Sequence, residues 1–186
     1  MALITKKIKG TEDVLPKQSY RWQFVENIMR EESLATRETS DMGNLFAEGS
    51  SQGGAFSYAA ASLSDYPFTA ISPCVAFLGD FPDYFQIVGW PANTAKENQG
   101  SMTDAEMYAF LSYFDTKNLA TRISCPIMAN MGLKDVTCPP HTNIAPFNNA
   151  LTPASEKEMH YYAEMGHDIP KGWDGMVKKF FKAHMK

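Results

Sequence analysis

The chain has 186 residues, 44% of them apolar and 20% charged. That is enough for one domain with a sizeable core, and it excludes a disordered or collagen-like chain. Its formal charge of -4 argues against a nucleic-acid-binding surface, and no apolar run reaches the length of a membrane span.

The first elements differ in character from the rest. Leu3 to Ile8 alternates like a short strand, Gly10-Thr11-Glu12-Asp13 makes a turn, and Pro16 opens a helix that runs to about Glu32. Tyr20, Phe24, Val25 and Ile28 share one face of that helix. The wording K-G-T-E-D-V-L-P followed by Trp22 resembles the extreme N-terminus of histidyl-tRNA synthetases. That resemblance covers only about the first thirty residues, and the arginine-bearing ATP-binding and histidine-recognition motifs of those enzymes do not follow. Residues 1–33 therefore read as a strand-helix leader. The opening M-A-L-I-T-K-K-I-K-G lacks the basic-then-apolar order of a secretory signal, so a cytoplasmic location is expected.

From Asp41 the order changes to strand, elbow, helix, strand. Gly49-Ser50-Ser51-Gln52-Gly53 fits G-x-S-x-G, and small residues follow it (Gly54, Ala55, Ala59, Ala60, Ala61). This pattern puts a serine on a tight strand-to-helix turn, with its hydroxyl clear of the sheet and the next backbone N–H aimed at a developing oxyanion. Gly49 and Gly53 are expected where strand and helix backbones approach most closely, and Gln52 is the expected N–H donor. A surface Gly/Ser loop would give the same five residues, so the flanks carry the reading. Phe68 to Leu78 is a near-continuous apolar run, as expected of a parallel strand buried on both faces.

Residues 79–109 are irregular and rich in Pro, Gly and aromatics, with a helix after the Thr103-Asp104 cap. They read either as a pocket wall or as a packed surface excursion. Ile123 to Gly132 is the next strand, with Asp135 beyond its carboxyl end and a helix opened by Pro139-Pro140. Glu158 to Ala163 is the last strand, with His167 after it. The closing helix, Trp173 to Met185, carries Trp173, Met176, Val177, Phe180 and Phe181 on one face and Lys178, Lys179 and Lys182 on the other.

Ser51, Asp135 and His167 thus each fall just past an expected parallel strand, where α/β sheets place their sites. Singly, the aspartate reads as a turn former or helix cap and the histidine as a surface residue. Jointly, the order Ser, Asp, His is that of α/β-hydrolases and not of the chymotrypsin or subtilisin types. Ser51 would attack an acyl carbonyl, His167 would carry the proton and Asp135 would orient the imidazole. Of the other histidines, His141 reads as a first-turn helix residue, His160 as a strand residue and His184 as solvent-facing. Asp80, Asp83 and His141 lack any metal-binding spacing, so no metal or other cofactor is expected. Cys74, Cys125 and Cys138 lack C-x-x-C spacing and read as ordinary, partly buried thiols, neither a disulfide framework nor a zinc site.

G-S-S-Q-G-G, G-W-P, L-S-Y-F-D-T-K-N-L-A, I-S-C-P-I-M, G-L-K-D-V-T-C-P-P and E-M-G-H-D, in this order, resemble the C-terminal half of acetyl xylan esterases. The family is carbohydrate esterase family seven, which also holds cephalosporin C deacetylases. The resemblance covers about residues 36–186. It implies an α/β fold of the truncated α/β-hydrolase kind, a parallel sheet with flanking helices. It further implies deacetylation of small acetylated sugars, no metal, and a tendency to form homo-oligomers; Ser51, Asp135 and His167 match the family triad. Family members carry a further half-domain before the elbow, including the segment that supplies the second oxyanion donor, so the join to the leader reads as a fusion or truncation. An open edge is then expected on the elbow strand, to be covered by Leu3–Ile8 or by a partner chain. The alternative to an esterase is a noncatalytic half-hydrolase remnant that acts by association.

Overall fold

The computed structural model describes residues 43–185; the leader strand and helix expected over residues 1–33 lie outside the described residues. Strand β1 is Phe46–Ser50. Helix α1, Gln52–Leu63, follows without a loop, so that Ser51 alone makes the turn. No apolar stripe runs along α1. Gly54, Ala55, Phe56, Ser57, Tyr58, Ala59, Ala60 and Ser62 are all buried, because small residues let the sheet and neighbouring helices close around it. Strand β2 is Ala70–Cys74, buried at every position.

That strand is much shorter than the apolar run 68–78 suggests. Its end is set by backbone conformation, since Val75 (φ 39°), Leu78 (φ 60°) and Asp80 (φ 55°) all lie in the left-handed region and cannot continue a ladder. The apolar side chains of residues 75–78 serve a turn, with Val75 and Ala76 still buried. Residues 79–109 are also more regular than expected. They hold helix α2 (Phe81–Ile87), helix α3 (Ala92–Glu97) and most of helix α4 (Asp104–Leu111). The Thr103 cap is a full capping box: Glu106 N donates to Thr103 Oγ1 at 3.3 Å and Thr103 N donates to Glu106 Oε2 at 2.8 Å.

Helix α5, Thr116–Leu119, is tied to α2 by one buried carboxylate. Asp115 accepts the N–H groups of Asp80 (2.8 Å), Phe81 (2.9 Å) and Lys117 (2.9 Å). It therefore satisfies orphan donors at two helix starts. Burial pushes its carboxyl above the usual range, against the opposing pull of those three N–H groups. A short 3-10 turn, Ala120–Arg122, follows, so strand β3 begins at Ile127, not Ile123, and runs to Gly132. Helix α6 is Pro140–Asn149, strand β4 is Lys157–Tyr162 and helix α7 is Trp173–His184. Lys157 Nζ reaches back to the carbonyls of Phe147 and Ala150, both at 3.1 Å, and so satisfies the C-terminal end of α6.

The strands are parallel in the order β1-β2-β3-β4. Period-two alternation sends Ile71, Ile127 and Ala129 to one face, against Tyr58 of α1 and Phe147 of α6. It sends Ala70, Cys74 and Met128 to the other, against Trp173, Val177 and Phe180 of α7. Burial of each large apolar side chain contributes about 1.5–3 kcal/mol. A third cluster, Ala55, Phe77, Phe81, Tyr84 and Cys138, sits by the end of β2. Among the described residues β1 pairs on one side only, with β2. His184 is a correction: it is half-buried, with Nδ1 2.9 Å from the Phe180 carbonyl and its ring 4.5 Å from the Phe180 ring.

Candidate active site

Ser51 stands between β1 and α1 at φ 56° and ψ -116°, a conformation that costs about 1–3 kcal/mol and persists only when its surroundings over-determine it. Three backbone hydrogen bonds do so. Ser51 N donates to Cys74 O at 2.9 Å, and Ser51 O accepts from Ala55 N at 3.1 Å and from Phe77 N at 3.0 Å. A Cβ on Gly49 would stand 2.5 Å from the Gly53 carbonyl carbon, so the elbow closes only over a glycine at that position. Gly53 itself has open space where a Cβ would go. The tight partner on the helix side is Gly54, whose Cβ would lie 3.0 Å from Cys74 O and Ala76 Cα.

Asp135 and His167 arrive from the ends of β3 and β4. Gly132, the last residue of β3, makes their meeting possible, because a Cβ there would collide with the carbonyls of Met165 and Gly166. With no side chain in the way, the loop after β4 lies across the end of β3, held by Leu133 N to Tyr162 O (2.9 Å) and Lys134 N to Met165 O (3.0 Å). His167 Nδ1 then lies 2.8 Å from Asp135 Oδ2, and His167 Nε2 lies 2.9 Å from Ser51 Oγ. The Asp135 side chain is fully buried, whereas that of His167 keeps a quarter of its surface. The other carboxylate oxygen of Asp135 accepts the N–H groups of Thr137 and Cys138, both at 2.8 Å. Three of its four lone-pair directions are therefore used, and the carboxylate is held facing the ring. An ionised carboxylate only accepts, so the imidazole proton is assigned to Nδ1, and Nε2 is left to accept from the serine hydroxyl.

Sequence reasoning missed two neighbours of this chain of hydrogen bonds. Cys138 is no partly exposed thiol: it is 1% exposed, in hydrogen-bond contact with the side chains of Ser51 and Tyr84. Burial first, and the Asp135 charge second, push its thiol up to about 12. The only signal was its place three residues after Asp135 in D-V-T-C-P-P. Tyr84 donates its hydroxyl to Thr137 O at 2.7 Å. Phe77, whose N–H holds Ser51, stacks its ring on Trp90 at 5.6 Å with 7° between planes. The excursion 79–109 thus lies against the elbow through this pair. Gln52 N–H is in the first turn of α1, one of the donors that have no partner within the helix.

The remaining polar candidates are not gathered into a site. Asp80 pairs with Lys117 at 2.5 Å, and His141 Nε2 is 3.9 Å from Asp83 Oδ2 with both side chains well exposed. Among the described residues no group of three metal-ligating side chains comes together, and no helix is long and apolar enough to cross a membrane. His160 lies on β4 with its ring edge toward Trp173.

A parallel sheet covered by helices on both faces, with serine, aspartate and histidine delivered in that chain order to its carboxyl ends, makes this molecule an α/β-hydrolase. The family model for acetyl xylan esterase (AXE1) matches residues 4–184, and the chain belongs to that family. It is 33% identical over 128 residues to the acetyl esterase Axe7A of Xylanibacter ruminicola, an alignment covering 62% of this chain and 28% of that protein. The solved acetyl xylan esterase from Paenibacillus sp. R4 superposes with a TM-score of 0.77 at 28% identity, covering 89% of this chain and 53% of that one. A separate stretch of 29 residues is 62% identical to the histidine–tRNA ligase of Caldanaerobacter subterraneus, 16% of this chain and 7% of that protein. The chain thus spans little more than half of the solved esterase and less than a third of Axe7A.

Proposed function

We propose that this chain is a serine esterase acting on acetyl or other short-chain esters, with acetylated carbohydrates as its substrate class. The observation that carries the reading is the unbroken relay Ser51 Oγ, His167, Asp135 at 2.9 and 2.8 Å. Membership of the acetyl xylan esterase family and likeness to an acetyl esterase and an acetyl xylan esterase support the substrate class.

In this reading Ser51 Oγ attacks the ester carbonyl as His167 Nε2 takes its proton. The tetrahedral oxyanion is met by the backbone N–H of Gln52, and Asp135 stabilises the imidazolium. His167 then returns the proton to the leaving alcohol oxygen, and water repeats the sequence on the acyl-enzyme to release acetate and free Ser51. Each missing oxyanion donor costs about a hundred- to a thousandfold in rate. Residues 36–186 form the hydrolase part, 79–109 the wall of its pocket, and an oligomer partner covers the outer edge of β1.

The test compares p-nitrophenyl acetate with the butyrate and octanoate esters, wild type beside Ser51→Ala. Preference for acetate, lost by at least about a thousandfold in the variant while the fold is retained, is the expected result. Turnover unchanged in Ser51→Ala would dispose of the assignment. A folded wild type inert to both esters and an organophosphonate would favour the noncatalytic half-hydrolase instead.

A further inference from the structure

Asn130 lies in the middle of β3, 0% exposed, where neighbouring positions of the strand hold Ala129 and Met131. A primary amide in the centre of a covered parallel sheet needs partners. It finds them at the end of β2 and just past it: Asn130 Oδ1 accepts the Cys74 thiol at 3.4 Å and the Val75 N–H at 3.3 Å. The Asn130 main-chain carbonyl accepts the same Val75 N–H at 3.2 Å. Because an N–H can be received only by oxygen, the orientation of the amide is settled, and Nδ2 meets no acceptor among the described residues. The side chain is therefore spent on Val75.

Val75 is the residue that most needs holding. It is β-branched, at φ 39°, in a region such residues rarely enter. On either side of it the turn grips the serine backbone. Cys74 O takes the Ser51 N–H at 2.9 Å, and Phe77 N–H is donated to Ser51 O at 3.0 Å. We propose that Asn130 is a positioning residue for the nucleophile: its side-chain oxygen holds Val75 in the left-handed conformation that brings Cys74 O and Phe77 N–H onto Ser51. This rests on the reading of Ser51 as the nucleophile.

The test is the covalent rate constant for organophosphonate labelling of Ser51 at saturating reagent, measured on the full chain and separated from reagent affinity. Four proteins are compared: wild type, Asn130→Leu, Val75→Gly and the double variant. Glycine occupies positive φ without the side-chain penalty, so Val75→Gly removes the need for the brace. A small displacement of reacting atoms costs up to about a hundredfold. Asn130→Leu is accordingly expected to label at least about tenfold more slowly than wild type, and the double variant within about twofold of Val75→Gly. A structural contribution elsewhere would not vanish in the glycine background. Wild-type labelling rates in Asn130→Leu, or an undiminished loss in the double variant, would overturn the proposal. If Asn130→Leu does not fold, Asn130→Ser goes through the same cycle, its side chain too short to reach Val75. A wild type that is never labelled removes the nucleophile reading itself, a result distinct from labelled proteins that ignore residue 130.

Discussion

At the scale of single residues, the candidate site fixes protons and lone pairs. Asp135 uses one oxygen for His167 and the other for two backbone N–H groups, so it holds the orientation of the ring. Asp135→Asn would put an amide where the ring needs an acceptor, present an N–H to Nδ1 and favour the wrong tautomer. A loss of about ten-thousandfold in kcat with little change in melting temperature is expected, read from steady-state kinetics and thermal unfolding. Cys138 is the other informative residue. With its thiol pushed up to about 12 and its surface closed, it stays a neutral S–H beside Ser51. Iodoacetamide at about pH 8.5 should leave it unmodified in the folded protein and alkylate it after denaturation, as mass spectrometry of tryptic peptides would show. Rapid alkylation of the native protein would contradict the burial.

At the scale of elements, legibility followed locality. The elbow, the cap at Thr103 and the closing helix were readable because each rests on residues close in sequence. Ser51, Asp135 and His167, which the structure links by hydrogen bonds, could be singled out because each stands just beyond a strand, and their chain order is itself informative. What escaped were features decided across strands or by backbone strain. Phe68 to Leu78 read as one long strand because its apolar side chains continue; the left-handed φ of Val75 and Leu78 leaves no trace in composition. Helices α2 and α3 span only 7 and 6 residues, too few turns for a periodic stripe to emerge. Asn130 was passed over because its partners, Val75 and Cys74, lie 55 and 56 residues away. The two elbow glycines were treated alike, yet space around them differs. Gly49→Ala should destabilise the protein by more than about 3 kcal/mol, since backbone must move, whereas Gly53→Ala should stay within about 1 kcal/mol. Urea titrations of the two variants check this, and equal losses would contradict the contact geometry.

At the scale of the whole molecule, the sheet is a partition between two apolar clusters. Helix α7 alone contributes Trp173, Val177 and Phe180 to the second, packed on Ala70, Cys74, Val75 and Met128. Removing the largest of these should be felt at the site, because Cys74 and Val75 belong to the turn that grips Ser51. Trp173→Ala is expected to cost about 3–5 kcal/mol and to lower kcat at temperatures well below its unfolding midpoint. An unchanged kcat in the destabilised variant would mean that the turn is independent of this packing. The charged residues of α7 lie outside this contact, and exchanging Lys178 for Glu should change neither quantity appreciably.

The strand order has a temporal meaning. Because each described strand pairs with the next one in sequence, a chain emerging from the ribosome can lay this sheet down one strand at a time. Among the described residues Ser51 follows the first strand and His167 the last, 116 residues later. Throughout that time the elbow can exist without its histidine, and His167 reaches Ser51 only when the segment after β4 has docked. The hydrogen bond between Ser51 and His167 thus closes at the end of folding, not during it.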